Sequence, residues 1–258
     1  MNIIVCYKLI PDSEDMIVKP DGSISLDQAE WVISDYDLLA VEAGLQLVEK
    51  YGGKLMALSV GTDRLQNSKS KKDILSRGPD ELYLVIDPSL GYGDTHQTSQ
   101  VLAAAVNKLG DFDLVLFGEG SGDLYFQQVG LQVGELLGKP TFNAVSKIDV
   151  EDGKLIVERS LENEIDVLSI PMPAALSVTT DINVPRLPSM KEILKAGKKP
   201  VTEWSLGDLE STGDFTSRVD ILSVKAPKAA DRKKIQIEGK PEEAVQTLIG
   251  YLSKEGVL

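Results

Sequence analysis

The chain has one cysteine, Cys6, and one histidine, His96, among 258 residues. A single cysteine cannot close an internal disulfide, which predicts a reducing compartment. Cys6 lies in the first apolar run and reads as a small buried hydrophobe. A lone histidine makes neither a catalytic triad nor a metal site by itself. His96, in the stretch GYGDTHQ, is therefore expected at the surface or in a cap. Positive charge is also scarce: 27 Lys and Arg against 40 Asp and Glu leave a net charge of −13. That field repels phosphate backbones and anionic lipid, which argues against nucleic acid and membrane surfaces as partners. No run approaches the ~18 apolar residues of a membrane span. The N-terminal MNIIVCYK has no basic region ahead of a long apolar stretch, so a cytoplasmic protein without signal peptide is expected. No CxxC, HExxH, GxSxG or EF-hand pattern occurs, so neither a metal site nor a catalytic residue is predicted.

What remains is sufficient for a folded core, with 42% hydrophobic residues. The length suits one large α/β domain or a domain plus an extension. Residues 2–7 read as a buried strand, and Asp21-Gly22 within 16–26 signals a hairpin. Leu38, Val41, Leu45 and Val48 share one face of a helix over 36–50, stopped by Gly52-Gly53. A strand (54–60), a polar helix (about 63–77), a strand (81–86), an Ala/Val-rich helix (95–108) and a strand (114–117) follow. This alternation predicts a mostly parallel sheet covered on both faces, with ligands beyond the carboxyl ends of its strands.

After about residue 140 the runs 142–150, 153–160, 165–170 and 174–178 are short and β-prone. They predict antiparallel strands added to the sheet or lying at its edge. Glu162, Glu164 and Asp166 alternate, which would set them on one exposed strand face. A loop over 181–188 and a short helix over 189–196 come next. Residues 205–240 carry turn formers and charges with little period, as in a disordered segment or an arm laid on another subunit. The helix expected over 241–252 has Val245, Leu248, Ile249 and Leu252 on one side and needs a surface to bury against, for which a partner chain is favoured. The division expected is thus 1–204 for an α/β domain and 205–258 for a C-terminal arm and helix.

The most informative stretch is Asp113–Gly130, DLVLFGEGSGDLYFQQVG. A strand empties into a loop with glycines at 118, 120 and 122, and a helix-compatible segment starts near Asp123. Glycines let backbone approach a phosphate closely, and a helix start offers unpaired N–H groups. The spacing is neither Walker A nor GxGxxG. A nucleotide phosphate site and an ordinary βα loop both fit the pattern.

Several motifs, in order, give the chain a resemblance to the β subunit of electron transfer flavoproteins, within it the FixA-like branch. They are Val5-Cys6-Tyr7-Lys8, Asp37–Glu42 (DLLAVE), Ser59-Val60-Gly61, Ser76–Glu81 (SRGPDE), Asp113–Gly130, the segment 157–173 (VERSLENEIDVLSIPMP) and Asp181–Ala196 (DINVPRLPSMKEILKA). Asn163 and Asp166 depart conservatively from the family pattern.

The resemblance implies a Rossmann-like fold akin to adenine-nucleotide α-hydrolases, and a non-enzymatic electron carrier. It implies a heterodimer with an α subunit that carries FAD, the arm wrapping that subunit. It also implies AMP, or a second FAD whose ADP part takes the AMP pocket, in this chain. In members with a second FAD, that flavin takes hydride from NADH and bifurcates the electron pair.

By the same resemblance, Cys6 and Val60 border the adenine, and Ser34, Asp35, Tyr36 and Asp37 touch the nucleotide from the next loop. Tyr36 lies where the family brings an aromatic toward the α-subunit flavin. Gly120, Ser121, Gly122, Asp123, Gln127, Gln128, Val129 and Gly130 form the loop and helix start. Backbone N–H groups of 127–130 would hold the phosphate, and Asp123 would bind ribose or cap the helix. Met190 in the recognition loop 181–196 would dock a partner, an acyl-CoA-type or quinone-linked dehydrogenase, with a ferredoxin-like protein as a further acceptor. A stand-alone nucleotide module resembling universal stress proteins would account for the first 140 residues only.

Overall fold

A computed structural model describes residues 1–91, 94–210, 214–228 and 232–258. The chain opens with β1 (Asn2–Cys6), β2 (Leu9–Pro11), the hairpin strands β3 (Ile17–Val18) and β4 (Ile24–Ser25), and β5 (Trp31–Ile33). Then come α1 (Asp35–Tyr51), β6 (Lys54–Gly61), α2 (Ser68–Ser76), β7 (Glu81–Ile86), α3 (Thr95–Leu109), β8 (Leu114–Gly118) and α4 (Val129–Leu136). The second half holds β9 (Thr141–Glu151), β10 (Lys154–Ser160), β11 (Ile165–Pro171), β12 (Ala174–Val178), α5 (Met190–Ala196), β13 (Val201–Trp204) and α6 (Pro241–Lys254).

The principal sheet has nine strands in the order β11-β10-β9-β12-β8-β1-β6-β7-β13. It is parallel from β9 to β13 and antiparallel only at β9–β10 and β10–β11. Continuous apolar runs such as Ile3–Cys6 make its centre because both faces are covered. Ile3 and Val5 face one core with α1 and α2, while Ile4 and Cys6 face the other with α3 and α4, as a two-residue period requires.

Four expectations need correction. The run 174–178 is no edge or antiparallel strand. As β12 it lies between β8 and β9, parallel to both, with all five residues buried. The small residues Ala174 and Ala175 let it sit in the interior beneath α4. The polar helix expected over 63–77 is two pieces, a 3-10 turn at Asp63–Gln66 and then α2. Asn67 divides them by accepting the N–H groups of Lys69 and Ser70 on its side chain. Glu162 and Glu164 lie in the turn between β10 and β11, so only Asp166 of that trio is on a strand, 3.6 Å from Arg159. Finally, the helix after the glycine loop starts at Val129, not near Asp123.

Beyond residue 205 the chain returns to the body in part. Leu209 is buried and Phe215 packs against the α3/α4 core. Lys225 bridges Ser23 of the β3–β4 hairpin, where the Ala226 N–H donates to the Gly22 carbonyl at 2.9 Å. Residues 211–213 and 229–231 of this stretch, and Tyr92 and Gly93 of GYGDTHQ, lie outside the described residues. α6 buries none of its residues.

Candidate nucleotide site

The strand order reverses at β1, with β6 on one side and β8 on the other. A cavity of about 220 Å³ opens beyond the carboxyl ends of these three strands, lined by segments Cys6–Leu9, Val60–Thr62 and Phe117–Ser121. This is the crevice where ligands of open α/β sheets bind.

The cavity wall includes the apolar Cys6, Val60, Leu90, Leu102 and Phe117. Burial, with Asp37 nearby, pushes the Cys6 thiol well up, so it stays protonated and serves as a hydrophobe. Arg64 lies over the Trp31 ring, 3.8 Å from its centroid, and both residues line the wall. The start of α4, Gln127–Gly130, also lines the cavity. Its N-cap, Gln128, makes no side-chain capping bond to the helix; its Oε1 instead accepts from Thr95 Oγ1 at 2.9 Å. The first-turn N–H groups have no acceptor within the helix and no side-chain cap, which suits an anion at this end.

Two glycines make this packing possible. A Cβ on Gly130 would stand 2.3 Å from Ser177 Oγ on β12, and one on Gly118 would stand 2.6 Å from the Tyr36 carbonyl carbon. Side chains there would push α4 off the sheet and α1 off β8. Between them, Tyr125 and Gln127 adopt left-handed φ of 50° and 56°. Non-glycine residues adopt this region in only a few per cent of cases. These conformations keep 123–128 from continuing as helix. Tyr125 stacks on Tyr36 with ring centroids 5.1 Å apart.

The acidic residues divide the work. Asp123, nearly fully buried, accepts from Lys8 Nζ at 2.6 Å, from Ser121 Oγ and from the Leu124 N–H at 2.8 Å. It organises the loop rather than capping α4. Asp37, in the first turn of α1, accepts the Lys8 N–H at 2.8 Å. Burial outweighs the backbone hydrogen bonds from Lys8 and Gly118, and its carboxyl rises to about 7. Asp94 caps α3 through the N–H groups of His96 and Gln97, at 2.8 and 3.1 Å. His96 therefore sits in a helix first turn, its own N–H capped.

Of the residues expected at a nucleotide, Cys6, Asp37, Val60, Gly120, Ser121, Gln127, Gln128, Val129 and Gly130 line the cavity. Ser34, Asp35, Tyr36, Gly122 and Asp123 are not among its lining residues. Ser34 and Asp123 act behind the wall, Ser34 Oγ accepting the Gly122 N–H at 3.3 Å. Sequence reasoning missed Arg64, Asp94, Thr95 and Thr98, because the 3-10 turn after β6 and the start of α3 that bring them in carry no motif.

The model of the electron transfer flavoprotein domain matches residues 23–209. The chain belongs to this family. Members of the electron transfer flavoprotein family are electron carriers rather than enzymes in the usual sense, and work with FAD. The match begins after β1 and stops at Leu209, so β1 and the remainder of the arm lie outside it. Among the described residues no helix is long and apolar enough to cross a membrane.

On the opposite side of α1, the loop before α5 is clamped to the body. Arg186 bonds Glu42 and Glu49 through its guanidinium at 2.8–3.1 Å, and Asn183 Nδ2 donates to the Leu39 carbonyl at 3.0 Å. A capping box between Ser189 and Glu192 starts α5. From this rigid base Val184 and Leu187 are each 86% exposed, and Met190 and Leu194 each 72%.

Proposed function

We propose that the chain is the β subunit of a FixA-like electron transfer flavoprotein, holding an adenine nucleotide and pairing with an α subunit that carries FAD. The observation that carries this reading is the cavity at the strand-order reversal, whose wall combines apolar residues with a helix start that has no side-chain cap. Those features suit an adenine base and a phosphate respectively. Cys6 and Val60 would contact the base, and the N–H groups around Gln127–Gly130 the phosphate. The buried Asp37 offers an acceptor for a ribose hydroxyl or an amino group. Both AMP and the ADP part of a second FAD meet this description, and the FixA-like pattern favours the second FAD. The flavins supply the redox chemistry; this chain positions them and excludes water.

In the same reading Met190 and its apolar neighbours dock a dehydrogenase, of acyl-CoA or quinone-linked type, since a flexible thioether suits a socket shared by several partners. The exposed apolar side of α6, with Val245, Leu248 and Ile249, packs on the α subunit. Co-expression with an FAD-carrying α subunit tests the proposal. A yellow heterodimer containing two flavins reducible by NADH supports bifurcation. One flavin plus AMP supports the simple carrier. Absence of any complex defeats the assignment.

A further inference from the structure

Asp94 lies in the cavity wall, is 7% exposed, and divides its carboxylate between two tasks. Oδ1 caps α3, while Oδ2 accepts from Ser217 Oγ at 2.9 Å and from the Arg218 N–H at 2.6 Å. Gln97, one turn into the helix and buried, donates from Nε2 to the Phe215 carbonyl at 2.8 Å and to the Ser89 carbonyl at 3.1 Å. Phe215 itself packs against the core formed by α3 and α4. Residues 215–218 thus lie as a strap across the start of α3. From there the contacts run on to α4, through Thr95 Oγ1 to Gln128 Oε1 at 2.9 Å and Ser99 Oγ to Gln132 Oε1 at 2.8 Å.

We infer that Phe215–Arg218 is a positioning element of the nucleotide cavity, although the strap supplies no lining residue. The inference rests on the nucleotide reading above. Its physical content is twofold. The strap donates two hydrogen bonds to a carboxylate that would otherwise turn a bare negative charge toward an anionic ligand. It also fixes the α3 start, which in turn holds the N-cap of α4, where a phosphate would meet backbone N–H groups. The strap lies past the end of the family match at Leu209. The part of the chain that builds the cavity therefore extends to Arg218.

The test uses the full chain and two substitutions at one exposed position. Arg218→Pro deletes the N–H that reaches Asp94, whereas Arg218→Ala keeps it. AMP affinity is measured by titration calorimetry, and amide hydrogen exchange is followed at His96, Gln97 and Gln132–Gly134. Arg218→Pro is expected to weaken AMP binding about five- to tenfold and speed exchange at both helix starts. Arg218→Ala should stay within about twofold of the unaltered chain. Ser217→Ala should fall between, with Ser217→Thr restoring affinity. Equal AMP affinity for Arg218→Pro and Arg218→Ala overturns the inference. If the unaltered chain fails to bind AMP, the nucleotide reading falls. The exchange data then separately decide the strap: unchanged protection at Gln132–Gly134, the first hydrogen-bonded amides of α4, in Arg218→Pro refutes its hold on α4, and lost protection upholds it.

Discussion

Asp37 gives the most direct test of the cavity's electrostatics. Its carboxyl is buried at the start of α1 and is pushed from its ordinary value near 3.8 to about 7. Loss of water is the main cause, only partly offset by the N–H groups of Lys8 and Gly118 and by the Lys8 charge, with Asp123 pushing the same way as burial. Such a shift costs the folded, ionised state about 4 kcal/mol. Because the folded value lies above the unfolded one, the folded chain binds the extra proton between about pH 4 and pH 7. Stability from this group therefore rises as pH falls through that window and is lost as pH climbs through 7. From pH 8 down to pH 5 the wild-type chain should gain about 3 kcal/mol that Asp37→Asn does not gain.

Asparagine keeps one acceptor oxygen and loses the other, at a cost of about 1–3 kcal/mol. The variant should thus match or exceed the wild type at pH 8 and fall behind it at pH 5. Urea unfolding of both proteins at four pH values reads this out, since titrating groups not coupled to Asp37 cancel in the difference. A wild-type-minus-variant difference that stays flat from pH 5 to pH 8 would refute the claim that Asp37 is held without water.

Gly130→Ala should lower stability by about 1–3 kcal/mol and abolish nucleotide binding, because the new methyl meets Ser177 Oγ; adding Ser177→Ala should recover part of both in urea melts and calorimetry. Burial alone would raise the Glu42 carboxyl, but bonds from Arg186 and Gln46 outweigh it and hold it below its ordinary value. Arg186→Ala strands that carboxylate and should cost about 1–3 kcal/mol, discounted for the half-exposed arginine, with Glu42→Gln restoring most of it in thermal melts. Met190→Glu, at a 72% exposed position, should leave stability within about 0.5 kcal/mol while stopping electron transfer from a docking dehydrogenase in stopped-flow assays. Leu248→Glu with Ile249→Glu should leave the monomer folded, since α6 buries nothing, yet prevent co-elution with a flavin-bearing subunit on gel filtration.

The fold was largely legible because its local signals agree with its global arrangement. α1 spans Asp35–Tyr51 where periodicity placed a helix over 36–50, and β6, β7 and β8 fall on apolar runs bounded by glycine or turn residues. The errors occur where tertiary contacts override local pattern. β12 reads as one more short strand after a run of antiparallel ones, and nothing in AALSV says that it inserts between β8 and β9. That placement depends on Gly130 of α4 lying against its Ser177, a contact far away in sequence. β13 has only four residues and no alternation; it forms because β7 offers an open edge and Trp204 stacks on Tyr83, centroids 5.2 Å apart.

The site was legible to the extent that its residues sit at strand ends. Gly118–Ser121 stands out as a glycine loop after a strand, whereas Cys6, Val60 and Gln127–Gly130 come with the family resemblance. Arg64 and Asp94 did not follow, because neither belongs to a motif and each acts through a residue remote in the chain, Trp31 in one case and Ser217 in the other. The arm explains the second miss. Charge and turn formers mark all of 205–240 alike, yet Phe215 and Ser217 find acceptors, donors and core on the body, while α6 keeps its apolar side in solvent. Composition cannot separate these two fates. A buried carboxylate in need of donors draws the first segment in, and no such demand on this chain reaches the second.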